Sequence, residues 1–214
     1  MDDDQRQATA RAGPVNIRRM STGEVDEASR LIASAFVDNP NTLAVTRGDR
    51  AKAQRIMQAG ARVAKLGREC SYVVVAEHAA RIVGVLNAAE WLNCQLRIGE
   101  KIRTAPAMIK VMGTALPRQL KLLSLWGRRD PHQGHWHLGP IGVAPELHGR
   151  GIGRALLASF LEMVDEQDSP AYLETDVDKN VALYERFGFK VVSHADFEGI
   201  NNRFMWREVR GRSS

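Results

Sequence analysis

Cysteine is scarce in this chain. Cys70 and Cys94 are the only two in 214 residues, and they do not form a Cys-x-x-Cys pair. That argues against a disulfide framework or a structural zinc site and makes a reducing cytoplasm the expected compartment. Long apolar runs are missing too, and none approaches the roughly 20 residues that cross a bilayer. The opening residues, Met1-Asp2-Asp3-Asp4, are acidic with no apolar stretch behind them, so no secretory leader is read there. Acids are nearly absent from one segment. Between Gln95 and Arg129 stand eight Lys and Arg residues against the single acid Glu100, while the chain as a whole carries +5. Such a segment suits an anionic partner or the solvated face of a helical insertion.

What is present fits one globular α/β domain. Hydrophobic residues make up 44% and charged residues 26%, enough apolar material for a sizeable core. Residues 1–14 read as a disordered tail ending in Gly13-Pro14, and 15–210 as one domain with an insertion at about 95–130. Alternation predicts a first strand over 15–20, then a capping box from Ser21 to Glu24 ahead of Val25, Ala28, Ile32, Ala35 and Phe36 at helical spacing. Asp38-Asn39-Pro40 is expected to stop that helix, and a second helical stretch runs from about 50 to 66.

The runs 71–77 and 81–88 read as a hairpin, and the basic segment as two or three short helices broken at Pro106 and Pro117. A strand over 135–143, a helix over 154–167, a strand over 171–175 and a short helix over 180–187 closed by Gly188 follow. Strands over 190–193 and 204–209 complete a mixed sheet. In the insertion, Met108, Met112, Leu116, Leu120, Leu123 and Trp126 flanked by Lys and Arg also suit a peripheral membrane surface, the weaker reading. No nucleic-acid module is recognisable.

The chemistry concentrates in His137-Leu-Gly-Pro-Ile-Gly-Val-Ala-Pro-Glu-Leu-His-Gly-Arg-Gly-Ile-Gly-Arg154. A strand ends at Val143, and Gly149, Gly151 and Gly153 lead into an amphipathic helix. Free N–H groups and the positive end of the helix dipole make an anion site there, with Arg150 and Arg154 beside it. The third glycine of a dinucleotide fingerprint is missing, and so is the Gly-Lys-Ser/Thr of a nucleotide phosphate loop. A pyrophosphate held without magnesium ligands is what remains.

These residues resemble the GNAT superfamily of acetyl-CoA-dependent N-acetyltransferases. The family's glycine loop, (Gln/Arg)-x-x-Gly-x-(Gly/Ala), corresponds to His148-Gly-Arg-Gly151-Ile-Gly153, with His148 where Gln or Arg is usual. Its later signature is matched by Asn180-Val-Ala-Leu-Tyr184-Glu-Arg-Phe-Gly188-Phe189, in a style similar to the puromycin N-acetyltransferase branch. The resemblance implies a mixed, mostly antiparallel sheet of six to seven strands. That sheet is expected to splay between the strand ending near Val143 and the strand 171–175, with a helical insertion before the glycine-loop strand.

It further implies acetyl-CoA as cosubstrate. Backbone groups of Ile141, Gly142 and Val143 would hold pantetheine. His148, Gly149, Arg150, Gly151, Ile152, Gly153 and Arg154 would take the pyrophosphate, and Asn180 the amide arm. Tyr184 matches the general acid that protonates the leaving thiolate. His137, or Glu174 on the next strand, is the candidate base. Phe36, Asp38, Glu90 and Trp91 are acceptor-site candidates.

His132, His135 and His137 have no cysteine or carboxylate at a ligand spacing, so no metal is expected. The partner expected is a small-molecule amine rather than nucleic acid, and monomer and homodimer both stay open. The alternatives are a protein or peptide N-acetyltransferase and an acyl-CoA-binding regulatory module without turnover.

Overall fold

The computed structural model describes residues 15–209; the tail expected over 1–14 lies outside them. In chain order come β1 (Asn16–Arg19), α1 (Val25–Phe36), α2 (Pro40–Thr46), α3 (Arg50–Gly60), β2 (Ser71–His78) and β3 (Arg81–Glu90). These are followed by α4 (Ile98–Met112), α5 (Leu116–Gly127), β4 (Trp136–Val143), α6 (Ile152–Glu166) and β5 (Ala171–Thr175). Last are α7 (Asp178–Arg186), β6 (Lys190–Phe197) and β7 (Ile200–Arg207).

The seven strands form one sheet in the order β1-β2-β3-β4-β5-β7-β6. Every neighbouring pair is antiparallel except β4 with β5. This is the expected mixed, mostly antiparallel sheet with flanking helices. One face packs on α6, whose Leu156, Leu157, Phe160, Leu161 and Val164 recur at helical spacing and join Val74, Leu86, Leu138 and Leu173 in the main core. Each such side chain contributes about 1.5–3 kcal/mol by leaving water. The other face packs on α1, where Ala28, Leu31 and Ile32 meet Val73, Val75 and Val85.

Two irregularities in β4 shape the molecule. Leu86 pairs with Ile141 and Ala88 with Leu138, so β4 spends one residue more than β3 between these points. That is a bulge, formed at Gly139-Pro140, where proline has no N–H to give a ladder. In addition, β4 pairs with β5 only at Trp136↔Ala171 and His137↔Tyr172. Beyond His137 the two strands part, which leaves one edge of β4 without a strand partner among the described residues.

Several local expectations change. The Ser21–Glu24 capping box is present, with the Ser21 N–H donating to Glu24 Oε2 at 2.7 Å, but it closes a single 3₁₀ turn before α1. Pro40 stops α1 and also starts α2, because proline fits the first turn of a helix and the Asn39 side chain caps it. The stretch after α3 does not continue as α-helix; residues 61–66 widen into a π turn that brings Lys65 under the sheet.

Pro106 does not break α4. It lies on the exposed side of the helix, as does Ile102, whose carbonyl it leaves without an amide partner and open to water. The stripe read as a membrane face is mostly core. Met112 is buried and Met108, Leu116 and Trp126 pack with it against Val45, Ile56 and Phe197, whereas Leu120 and Leu123 stay exposed. The last two strands also run further toward each other than predicted. They meet in a two-residue hairpin at Glu198-Gly199, both at positive φ.

Candidate active site

The glycine segment follows β4 directly. After a short 3₁₀ turn at 145–147, Gly149 at φ 78° and Gly151 at φ 80° turn the chain into α6. Only glycine takes these angles without strain. Gly151 occupies the cap position, so no side chain satisfies the first N–H groups of α6. Those donors, the helix dipole and the half-buried Arg154 form a cradle that fits a pyrophosphate. His148 is exposed, and its Nε2 donates to the Val143 carbonyl at 3.0 Å. It thereby ties the loop to the end of β4. Ile141, Gly142 and Val143 follow the bulge on the strand whose far edge is free of β5.

Tyr184 and Asn180 come from α7, which follows the end of β5. Asn180 is half-buried in the first turn, and Tyr184 is buried against Phe189 with ring centroids 5.9 Å apart. Burial, aided by the Asp176 carboxylate, pushes the Tyr184 phenol up to about 12, so it keeps its proton at neutral pH. Asp176 also anchors α2 by accepting from Asn39 Nδ2 and the Asn41 N–H, both at 2.8 Å.

The two candidate bases are hydrogen-bonded to each other, with His137 Nε2 and Glu174 Oε2 2.9 Å apart across the start of the splay. On the other side of the ring, His137 Nδ1 lies 3.5 Å from Asp130 Oδ1. Burial opposes charge on His137, but Glu174 and Asp130 outweigh it and hold the imidazole well above its ordinary range. Burial would likewise raise Asp130, yet His135 and His137 beside it hold that carboxyl well below the usual range.

Lys65 lines a small pocket with Arg68, Asn87, Cys94, His137 and Gly139. Burial lowers its ammonium, partly offset by the nearby Glu174 carboxylate. The sequence offered no sign of Asp130, Cys94 or Lys65 in this cluster, since each arrives from a different connection.

The acceptor candidates lie on two parts of the chain, the end of α1 and the end of β3. Asp38 pairs with Arg50 at 2.7 Å on the surface, and Phe36 packs on the α1 core. Glu90 is exposed at the end of β3, and the next residue, Trp91, donates its N–H to the His135 carbonyl at 2.9 Å. Glu100, the lone acid of the basic segment, is paired with Arg68 at 2.9 Å.

Comparison with known proteins bears on this geometry. An N-alpha-acetyltransferase RimI of Mycobacterium tuberculosis is 42% identical over 72 residues, which is 33% of this chain and 43% of that protein. A mycothiol acetyltransferase of Paenarthrobacter aurescens is 34% identical over 65 residues, 29% of this chain and 20% of that protein. The chain thus spans less than half the length of these curated relatives.

Among solved structures, a Corynebacterium glutamicum protein described as histone acetyltransferase HPA2 and related acetyltransferase superposes with a TM-score of 0.70 at 18% identity. That superposition covers 94% of this chain and all of the other. A Drosophila melanogaster polyamine N-acetyltransferase superposes with a TM-score of 0.60 at 17% identity, covering 92% and 100%. At these identities the likeness is one of fold. Residues 46–189, more than half of the chain, match the acetyltransferase (GNAT) family, and the chain belongs to that family.

Proposed function

We propose that the protein transfers the acetyl group of acetyl-CoA to a primary amine of a small molecule by direct attack. The observation that carries this reading is the parting of β4 from β5 after His137, with a bulge at Gly139-Pro140 and an uncapped helix N-terminus at its end. A pantetheine arm can lie along the free edge of β4 at Ile141, Gly142 and Val143. The pyrophosphate meets the N–H groups from Gly149 to Arg154, and Asn180 takes the amide arm.

In the reaction the amine nitrogen bonds to the thioester carbonyl carbon, the C–S bond breaks, and one proton must move from nitrogen to sulfur. The His137–Glu174 pair receives the proton. His137 Nε2 is engaged with Glu174 Oε2, so the receiving atom is the second carboxylate oxygen, Oε1, and His137 positions it. Tyr184, protonated at neutral pH, donates to the sulfur as charge builds there, and solvent returns the proton to it.

The 42% identity to RimI over 72 residues favours a second reading, in which the acceptor is the α-amine of a peptide. Mass spectrometry of small amines and short peptides incubated with acetyl-CoA separates the two. An acetylated small amine supports the first reading, and acetylation confined to peptides supports the second. Tight acetyl-CoA binding without any product overturns both in favour of a binding module.

A further inference from the structure

Two chain segments converge beside β4, and the first brings a cysteine to the second, which carries an aspartate and two histidines. Cys94 lies in the connection after β3, Asp130 follows α5, and His135 and His137 lead into β4. Ligand atoms of Cys94, Asp130 and His137 all lie within 4.8 Å of one another. Cys94 Sγ is 3.3 Å from Asp130 Oδ2. Asp130 Oδ1 stands 3.4 Å from His135 Nε2 and 3.5 Å from His137 Nδ1. Tetrahedral coordination at about 2.1 Å sets ligand atoms roughly 3.4 Å apart, so the contacts of Cys94 and His137 with Asp130 have the spacing of groups that share a cation.

Unsatisfied polar atoms point the same way. Among the described residues, four buried side-chain polar atoms have no hydrogen-bond partner. Three of these, Asp130 Oδ1, His135 Nε2 and His137 Nδ1, face one another here. The His135 side chain is fully buried, at 0% exposure. Its other nitrogen, Nδ1, is 2.7 Å from the Gln133 carbonyl, which can only accept. In the neutral ring, Nδ1 therefore carries the hydrogen and Nε2 turns a lone pair toward a carboxylate oxygen. Two lone pairs facing each other out of water repel unless a cation lies between them.

His137 differs, because its Nε2 is held by Glu174 and its Nδ1 faces Asp130 with a proton that a bound cation would replace. Imidazoles that bind metals commonly donate their second N–H to a carboxylate or carbonyl in this way. The thiol is held in place as well, because Arg68 donates to the Asn93 carbonyl at 2.6 Å and the Gln95 carbonyl at 3.2 Å, on either side of Cys94.

We propose that Cys94, Asp130 and His137 form a binding site for a divalent cation of the zinc type, with His135 Nε2 against the same carboxylate. One thiolate, one imidazole and one carboxylate, with a second imidazole beside them, make a borderline-soft donor set. As the cation binds, the Cys94 thiol proton and the His137 Nδ1 proton pass to solvent. Three ligands come from protein, His135 Nε2 lies against their shared carboxylate as the candidate fourth, and the cation bridges two connections of the fold. It ties the connection after β3 and the one before β4 to the strand that splays, and fixes His137 beside Glu174. The proposal is independent of the acetyl-transfer reading.

The test uses untagged protein stripped with a chelator and titrated with cobalt(II) or zinc alone. Wild type is expected to take up one equivalent of cobalt with a near-ultraviolet thiolate charge-transfer band. Zinc is expected to raise its thermal midpoint. Cys94→Ser should lose the band, and Asp130→Asn and His135→Gln should each weaken binding at least about tenfold, with circular dichroism confirming that they fold. Failure of wild type to retain stoichiometric cation after desalting overturns the proposal whatever the variants do. Equal uptake by Cys94→Ser, or a cobalt spectrum without the thiolate band, overturns it as well.

Discussion

Replacing Gly149 by alanine isolates what the glycine loop contributes. A Cβ at this position would meet nothing within 4 Å, so the substitution carries no packing cost. The backbone angle is the whole difficulty, since φ 78° is a left-handed conformation that costs an L-residue about 1–2 kcal/mol. Two responses are open to the protein. If the loop keeps its shape, the folded state absorbs the strain and denaturant midpoints report the loss. If the loop relaxes, stability is retained but the cradle at the α6 N-terminus is displaced, and acetyl-CoA binds about 5–30-fold more weakly.

The two losses should together come to about 1–2 kcal/mol, read by urea denaturation without ligand and calorimetric titration with acetyl-CoA. Gly153→Ala supplies the contrast. Its φ is not positive, and its Cβ would stand 3.6 Å from Val143 Cγ2, an ordinary contact. Inside α6 the alanine should leave stability equal or raise it by up to about 1 kcal/mol. If Gly149→Ala matches wild type in both assays, the loop is not held in the left-handed form and the reasoning fails.

Two further predictions concern stability. Arg18 holds the Glu24 carboxyl at about 2, below its ordinary 4.5, chiefly through their hydrogen bonds at 2.6 and 2.9 Å. A depressed carboxyl stabilises the fold fully above its unfolded value, and that contribution disappears as pH falls from about 4.5 toward 2. Denaturation midpoints of wild type should therefore fall more steeply than those of Glu24→Gln over this window; parallel curves would contradict the pairing. Arg207 is 3% exposed and makes a forked contact with Asp165 at 2.6 and 2.8 Å, joining β7 to the end of α6. Asp165→Ala should cost toward the lower end of about 3–5 kcal/mol, because Asp165 keeps 26% exposure. A loss below about 1 kcal/mol, typical of a surface pair, would contradict this account.

What could be read from the sequence was whatever is local along the chain. The turn from Val143 through Gly149 and Gly151 into α6 depends on consecutive residues whose backbone needs differ from all others, so its place and form were visible in advance. The β-rich runs of the β2–β3 hairpin and the apolar face of α6 were equally plain. The parting of β4 from β5 has no local signature and came only with the family resemblance. Pro140 has no N–H to give a ladder, but nothing local says how little of β4 would pair with β5.

Side chains that meet across the fold were not visible. His137 and Glu174 were read as rival bases and are instead hydrogen-bonded partners. Cys94 stands far from both in sequence until the loops close around β4, and Asp130, seven residues before His137, is brought back to its ring by the turn that leads into the strand. Pro106 misled because a proline rule that holds for buried helix faces weakens where water can take the freed carbonyl.

Thiol release from acetyl-CoA, followed across an amine panel with wild type and Tyr184→Phe, tests the central claim most directly. Puromycin, aminoglycosides, polyamines and short peptides make up the panel. The account predicts an amine-dependent rate in wild type that falls at least about a hundredfold in Tyr184→Phe while acetyl-CoA affinity is kept. A rate that is flat across the panel and identical in the two proteins, with acetyl-CoA bound by both, would contradict it.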